Sequence, residues 1–328
     1  MAIPPSWIIK TGRSIWTQIW LVMMSQLAPR NDRGEYQRPQ SEFRQRIDGG
    51  KYAPAPNRYR LYVGWSCPWA HRTLVVRALK GLESTIDVVL LWGDANAGGW
   101  KFDQPEYECQ TLAQLYRFAN PGYTGRSTVP MLWDTQTNSI VNNESSEIIE
   151  IFNAEFNDYA THSELDLAPV DLQDSIERWN DIIYQTVNNG VYRCGFAQTQ
   201  AAYDRAHQEL FATLDRINDL FGTQAYLCGT LLTLADVRLF TTLIRFDLVY
   251  YSLFKCNHRQ IRDYPHLLTY LQRIYQLPGI AATCDFPTIL ADYYGNLFPL
   301  NPGGIIPLLP DLSYLSEKGY IAGDMVEN

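Results

Sequence analysis

The chain has 328 residues, 46% hydrophobic and 19% charged, which at roughly 100–200 residues per domain suggests two domains with cores large enough to fold without disulfide or metal staples. Its 27 basic and 35 acidic residues give a formal charge of −8 with no run of Lys or Arg, so nucleic acid is excluded as an expected partner. The 9 Trp, 21 Tyr and 13 Phe exclude a disordered chain and suit a ring-lined pocket.

In chain order, Ser14–Pro29 carries no charge and is flanked by Arg13 and Arg30. It is shorter than the ~20 apolar residues of a spanning helix and is interrupted by Thr17, Gln18, Ser25 and Gln26, so a packed or surface-lying segment is expected, with membrane-surface contact the lesser alternative. Residues 31–58 are polar and rich in Pro and Gly, which reads as an extended connector closing an N-terminal extension of 1–58. Tyr59–Trp65 is β-prone. Pro68–Leu82 follows with Leu74, Val75, Ala78, Leu79 and Leu82 on one helical stripe, and Ile86–Leu91 reads as a buried strand. That order is a βαβ unit.

Trp92–Thr128 reads mostly as loop, with a helical piece near Cys109–Phe118. Thr128–Trp133 and Ser139–Val141 flank a hairpin turn, and Glu144–Phe152 reads as a helix with Asn142 and Asn143 as cap candidates. The pattern over 59–158 fits a small α/β domain of thioredoxin type. Beyond it, Asp171–Val187, Gln198–Phe221, Leu234–Val249 and Pro265–Tyr275 read as helices of an all-helical domain over 159–285. Thr233 and Asp236 form a capping-box variant, a structural role for the carboxylate. The Pro- and Gly-rich tail over 286–328 is expected to wrap without regular structure.

Six cysteines (Cys67, Cys109, Cys194, Cys228, Cys256, Cys284) are scattered without a CxxC pair, and no secretory signal is read ahead of them, so free thiols in the cytoplasm are expected. Five histidines show no metal-ligand spacing, and no metal is expected. Cys67 ends a strand and begins a helix. There the first backbone N–H groups and the helix dipole favour thiolate over thiol, Pro68 suits the first turn, and His71 and Arg72 add positive potential. Three residues on stands Ala70, so a sulfur bound to Cys67 needs a second thiol from solution to release it. Val129-Pro130 at a strand start fits either a cis peptide at a turn or a trans proline on an edge strand. Asn143-Glu144-Ser145-Ser146 serves helix capping and ligand binding equally well, and Trp100, read in a loop beginning at Gly98, favours binding.

Several motifs carry a resemblance: Cys67-Pro68-Trp69-Ala70-His71-Arg72, Val129-Pro130-Met131-Leu132-Trp133-Asp134, Asn142 through Ile149, Asn188-Asn189-Gly190-Val191-Tyr192, Leu239 through Asp247, and Phe254-Lys255-Cys256-Asn257. In this order, between about Arg38 and Pro307, they resemble the glutathionyl-hydroquinone reductases, the Xi class of the glutathione transferase superfamily. The resemblance implies a thioredoxin-like N-terminal domain followed by an all-helical C-terminal domain, assembled as a homodimer. It implies glutathione as co-substrate, Cys67 as nucleophile, and Trp100, Val129, cis-Pro130, Glu144 and Ser145 as glutathione-binding. Tyr192 and Tyr293 match tyrosines of the aromatic pocket, the neighbouring Tyr294 leaving open which ring faces the substrate. The stretch Tyr293–Pro302 is more apolar than the family pattern, and nothing before Gly34 matches a functional part of it. The implied reaction is reduction of glutathionylated hydroquinones through a Cys67–glutathione mixed disulfide. An omega-like thiol transferase or dehydroascorbate reductase is the alternative, and a non-catalytic protein binding aromatic ligands or partners is a third reading.

Overall fold

The computed structural model describes residues 5–94 and 99–317; Gly98, residues 1–4 of the extension and residues 318–328 of the expected tail lie outside them. Helix α1 (Pro5–Leu27) comes first, and among the described residues no helix is long and apolar enough to cross a membrane. The connector then runs beside the sheet, with the Phe43 N–H donating to Asn143 Oδ1 at 3.2 Å, the Asn143 N–H to the Phe43 carbonyl at 2.9 Å, and the Gln45 N–H to the Val141 carbonyl at 3.0 Å.

The α/β half contains β1 (Tyr59–Gly64), α2 (Pro68–Lys80), β2 (Asp87–Asp94), β3 (Gly99–Glu106), β4 (Cys109–Thr111), α3 (Leu112–Ala119), β5 (Met131–Asp134), β6 (Ser139–Asn142) and α4 (Ser145–Ala154). Its six strands are ordered β4-β3-β2-β1-β5-β6, with β1 and β2 parallel and every other neighbouring pair antiparallel. The βαβ reading holds. Helix α2 buries Leu74, Val75 and Leu79, and Gly81 ends it at φ +62°, a left-handed cap that glycine adopts without steric penalty. Within the loop expected over Trp92–Thr128 the end of β2 and all of β3 and β4 are strand, while the helical piece expected near Cys109–Phe118 is α3 and the stretch after it is loop. β3 escapes a periodicity search because only Phe102 of its eight residues is buried, so no alternation is visible.

The helical half contains α5 (Gln173–Ile183), α6 (Gly190–Gly195), α7 (Gln200–Phe221), α8 (Leu234–Arg245), α9 (Pro265–Tyr275) and α10 (Phe286–Asn296). Wider π turns at Tyr184–Asn188 and Phe246–Tyr250 extend α5 and α8. Helix α10 corrects the expectation of an irregular tail: Asp285 caps it by accepting from the Thr288 N–H at 3.0 Å, and Pro287 occupies its first turn. Asp236 is structural, as expected. It is fully buried and accepts from the Thr233 N–H (2.9 Å), the Thr233 hydroxyl (2.8 Å), the Leu227 N–H (2.8 Å) and the Tyr270 hydroxyl (3.2 Å). Burial, partly offset by those bonds, raises its pKa to about 6.

Helix α2 packs against both α4 and α8, so the strand-to-helix turn at Cys67 lies where the two halves meet. Behind that turn, the Trp100 ring lies directly on Gly64, and a Cβ added there would come within 2.0 Å of the ring. Gly64→Ala is therefore expected to displace the indole and destabilise the protein by about 1–3 kcal/mol. Chemical denaturation of the variant checks this, and an unchanged midpoint would show that the ring moves freely.

Candidate active site

Cys67 is the N-cap of α2, with extended backbone and its carbonyl accepting from the His71 N–H at 3.0 Å. Its Sγ faces the Val129 carbonyl at 3.6 Å, and the Val129–Pro130 peptide is cis. The N–H groups of Ala70 and Trp69 point toward the sulfur, as helix-start geometry requires. Part of Cys67 reaches solvent, but dense protein around the sulfur makes desolvation the largest influence. The thiol is pushed above the usual 9.0, although the Ala70 and Trp69 N–H groups and the charges of Arg38 and Arg245 oppose this. The expected shift toward thiolate is thus reversed in the ligand-free protein.

His71 also departs from expectation. It is buried, Arg245 Nη1 donates to its Nδ1 at 2.8 Å, and its Nε2 lies 2.7 Å from the Thr283 hydroxyl. Burial and the adjacent guanidinium drive its pKa well down, so it is a neutral ring protonated on Nε2 and contributes no positive potential. Arg72 does contribute. Burial lowers it to about 9, which leaves it charged at neutral pH, and it donates to Asn188 Oδ1 at 2.8 Å and the Ser145 hydroxyl at 3.4 Å. The Arg72 and Arg38 guanidinium carbons stand 4.3 and 3.9 Å from the Trp69 ring centroid, which places two cations against one indole.

Glu144, rather than Asn142 or Asn143, caps α4. Its Oε1 accepts from the Ser146 N–H (3.1 Å) and hydroxyl (3.0 Å), and its Oε2 from the Ser41 hydroxyl (2.9 Å). Burial pushes this carboxyl up, but these hydrogen bonds and the Arg72 charge outweigh it and hold the group below the usual carboxylate range. Asn142 and Asn143 support the cap from behind, Asn142 Oδ1 accepting the Glu144 N–H at 2.7 Å. Glu144, Ser145, Val129, Pro130, Trp69, Arg38 and Arg126 line one cleft of about 190 Å³. Trp100 is not on its walls; it sits in β3 opposite Gly93 and supports the Cys67 turn from behind.

The tyrosines form a separate cluster from the helical half. The Tyr192 and Tyr293 hydroxyls are 2.7 Å apart, and a third, Tyr250, which the sequence reading missed, lies 3.0 Å from Tyr293. Tyr294 turns away, its hydroxyl donating to the Leu248 carbonyl at 3.4 Å. Burial raises the pKa of all three clustered tyrosines, Tyr192 and Tyr293 steeply, so each keeps its proton at neutral pH. A thiolate on Cys67 and a phenolate on Tyr192 or Tyr250 would repel each other, which puts the sulfur within electrostatic reach of both rings. Tyr192 is the partly exposed member, packed at 6.5 Å from both Trp69 and Tyr36.

Family models described as the glutathione S-transferase N-terminal and C-terminal domains match residues 66–155 and 200–273. The chain is 44% identical to the glutathionyl-hydroquinone reductase YqjG of Escherichia coli, over 84% of this chain and 89% of that one. The glutathione-bound structure of YqjG superposes with a TM-score of 0.80 at 43% identity, covering 85% of this chain and 95% of that one. The Xi glutathione S-transferase of Phanerochaete chrysosporium superposes with a TM-score of 0.83 at 44% identity, over 85% of this chain and 94% of that one. The chain belongs to the Xi class of the glutathione transferase superfamily. The resemblance read from the motifs, the two-part fold and the enzymatic character all stand. A protein of Schizosaccharomyces pombe named glutathione S-transferase omega-like 2 is also 44% identical, over 86% of this chain and 96% of that one.

The raised Cys67 pKa fixes the sign of its pH dependence, since the thiolate fraction grows as pH climbs toward and past 9.0. Alkylation of Cys67 in the ligand-free protein should accelerate about tenfold per pH unit between 7 and 9. Mass spectrometry of iodoacetamide-treated samples measures this. A plateau already reached below pH 7 would mean that the helix-start donors outweigh burial.

Proposed function

We propose that the protein reduces glutathionyl-hydroquinones to hydroquinones, with glutathione as co-substrate. The observation that carries this reading is a cluster of three phenol hydroxyls, Tyr192, Tyr250 and Tyr293, from three separate elements of the helical half, two of which lie within electrostatic reach of Cys67 at the start of α2. The names of YqjG and its glutathione-bound structure support it.

The cleft beside Cys67 suits a zwitterionic peptide thiol. The ionised Glu144 offers an ammonium its counter-charge, the Ser145 hydroxyl and the first N–H groups of α4 can donate to a carboxylate, and Arg38 and Arg126 add cations. Val129, beside cis-Pro130, presents backbone to an extended ligand, and Trp100 stiffens the turn that aims the sulfur. In the reaction, the Cys67 thiolate attacks the glutathione sulfur bonded to the aromatic carbon. The new S–S bond is the Cys67–glutathione mixed disulfide, and the broken C–S bond leaves its electron pair on the ring carbon, which takes a proton. The three phenols share their protons within the cluster, Tyr192 with Tyr293 and Tyr293 with Tyr250, and Tyr192 also reaches Tyr250. Tyr192, the partly exposed member, is the ring that would turn its O–H toward the departing carbon. The thiolate of a second glutathione then attacks the glutathione sulfur of the mixed disulfide, which restores the Cys67 thiolate and gives oxidised glutathione. Ala70, where a resolving thiol would stand, supports this external route.

Class membership supports a cytoplasmic homodimer. The division at 59–158 and 159–285 is supported by family-model matches that fall inside each part.

The reading is tested by assaying glutathionyl-hydroquinone, a small mixed disulfide and dehydroascorbate side by side. Cys67→Ala should lose all turnover. Tyr192→Phe, Tyr250→Phe and Tyr293→Phe should slow hydroquinone release by about one to three orders of magnitude and leave disulfide exchange little changed, because only a carbon leaving group needs the donor. Equal losses on all substrates would assign the rings to pocket shape, and turnover of disulfide or dehydroascorbate alone would establish the omega-like alternative. Glu144→Ala should raise the KM for glutathione about tenfold or more by removing a charge-assisted contact. Unchanged glutathione binding in that variant would remove Glu144 from recognition.

A further inference from the structure

Helix α1 is half anchored and half free. Its C-terminal part is fixed by the buried Met24, by the Trp20 Nε1 donating to the Pro299 carbonyl at 3.1 Å, and by the Gln198 side chain donating to the carbonyl of the following Ala28 at 3.2 Å. Toward its N-terminus every described side chain from Ser6 to Ile19 is exposed, including Trp7 (68%), Ile9 (69%), Ile15 (57%) and Trp16 (42%). At 1.5 Å per residue, the 23-residue helix is about 35 Å long, and its exposed stretch from Ser6 to Ile15, an arm of about 15 Å, precedes the ring contact of Trp16 with Phe298.

The arm is two-sided. Ile15, Ile19 and Val22 recur at i, i+4 and i+7 and share one face, while Lys10, Ser14 and Thr17 repeat the same spacing on the opposite side. The Trp16 ring meets Phe298 edge-on at 6.2 Å, and Phe298 leads into a tail that exposes Ile305, Ile306, Leu308 and Leu309. A large exposed apolar surface on a globular protein marks an interaction site. Charge identifies the partner: residues 1–31 contain Lys10, Arg13 and Arg30 and no acidic residue, within a chain of net charge −8. An anionic surface therefore attracts the arm and repels the body. A second copy would instead bring the cations of one arm toward those of the other.

We propose that α1 is a membrane-surface anchor that lies in the interface of an anionic bilayer. Ile15, Trp16, Ile19 and Val22 enter the headgroup–acyl boundary, with Lys10 and Arg13 toward lipid phosphates and carboxylates. The helix is not apolar enough to span, which agrees with a surface-lying mode. If the proposed reductase activity holds, the anchor keeps the cleft close to aromatic substrates that partition into lipid.

The test is flotation of the full-length protein with vesicles of equal phosphatidylglycerol and phosphatidylcholine, against vesicles of phosphatidylcholine alone, at low and high salt. Binding to the anionic vesicles is expected to fall about tenfold or more in high salt, in Ile15→Ser/Ile19→Ser, and in Lys10→Glu/Arg13→Glu. Turnover of a water-soluble substrate should be unchanged in both variants, which separates this result from the fate of the proposed reaction. Absence from both kinds of vesicle overturns the anchor. So does a halving of the solution mass by light scattering in Ile15→Ser/Ile19→Ser without any vesicle binding, which would make the face a contact between copies.

Discussion

The guanidinium of Arg245 is the constraint on which the site depends. It is completely buried at the end of α8, and no carboxylate accompanies it among its described hydrogen-bond partners. Its acceptors are the Ser66 carbonyl at 3.0 Å, the Trp65 carbonyl at 2.9 Å, the Thr241 carbonyl at 2.9 Å and His71 Nδ1 at 2.8 Å. A buried cation left without such acceptors is very costly, so the helical half and the Cys67 turn must keep their mutual position for the charge to be tolerated. The same bond dictates the neutral state and the tautomer of His71. With Nδ1 accepting from Arg245 and Nε2 bonded to Thr283, both ring nitrogens are engaged, and the ring serves as a spacer between those two residues rather than as a base toward Cys67.

Burial acts on both kinds of reactive group. It opposes ionisation of Cys67, which keeps the sulfur as a thiol, and it opposes ionisation of Tyr192, Tyr250 and Tyr293, which keeps them as hydrogen-bond donors. A wetter site would yield more thiolate but would also offer solvent as a competing donor and acceptor to the phenols. The backbone N–H groups of Trp69 and Ala70 and the cations Arg38 and Arg245 act on the sulfur without wetting the tyrosines. Reactivity at Cys67 is thus a balance of fixed dipoles against desolvation, and the helix dipole alone is too small to decide it.

What the sequence revealed follows from the range of the interactions involved. The β1–α2–β2 unit shows itself through local signals, a buried strand run and a helical stripe ending at Gly81. Cys67 and the Val129–Pro130 turn sit at junctions between such elements and were visible for the same reason, whereas the cap of α4 falls on Glu144 and not on the Asn142 or Asn143 that the sequence favoured. β3 was missed because its residues are mostly solvated and its pairing with β2 is a long-range fact. Helix α10 was hidden by the Pro- and Gly-rich stretch after it, although Asp285 with Pro287 is a helix-start signal that marks it. The depressed thiol was expected from helix geometry alone; the burial that reverses it depends on how the helical half covers the turn. Tyr250 and Arg245 carry no local signature, since each acquires its role only by meeting residues far along the chain.

In the proposed reaction neither half of the molecule suffices by itself. The α/β half supplies the sulfur and the Glu144 cleft, and the helical half supplies the phenolic donors. Arg245 joins them at the Cys67 turn, and Arg72 joins them again through Asn188, whose amide in turn donates to the Arg238 carbonyl and the Thr242 hydroxyl on α8. Both links are made of buried polar groups whose partners lie across the boundary, so each half leaves the other with unsatisfied charge if it shifts. Apolar packing alone would tolerate sliding between the halves, because it is non-directional. Directional bonds from two buried arginines do not, and they hold the sulfur and the tyrosine hydroxyls in register across an interface that hydrophobic contact leaves free to slip.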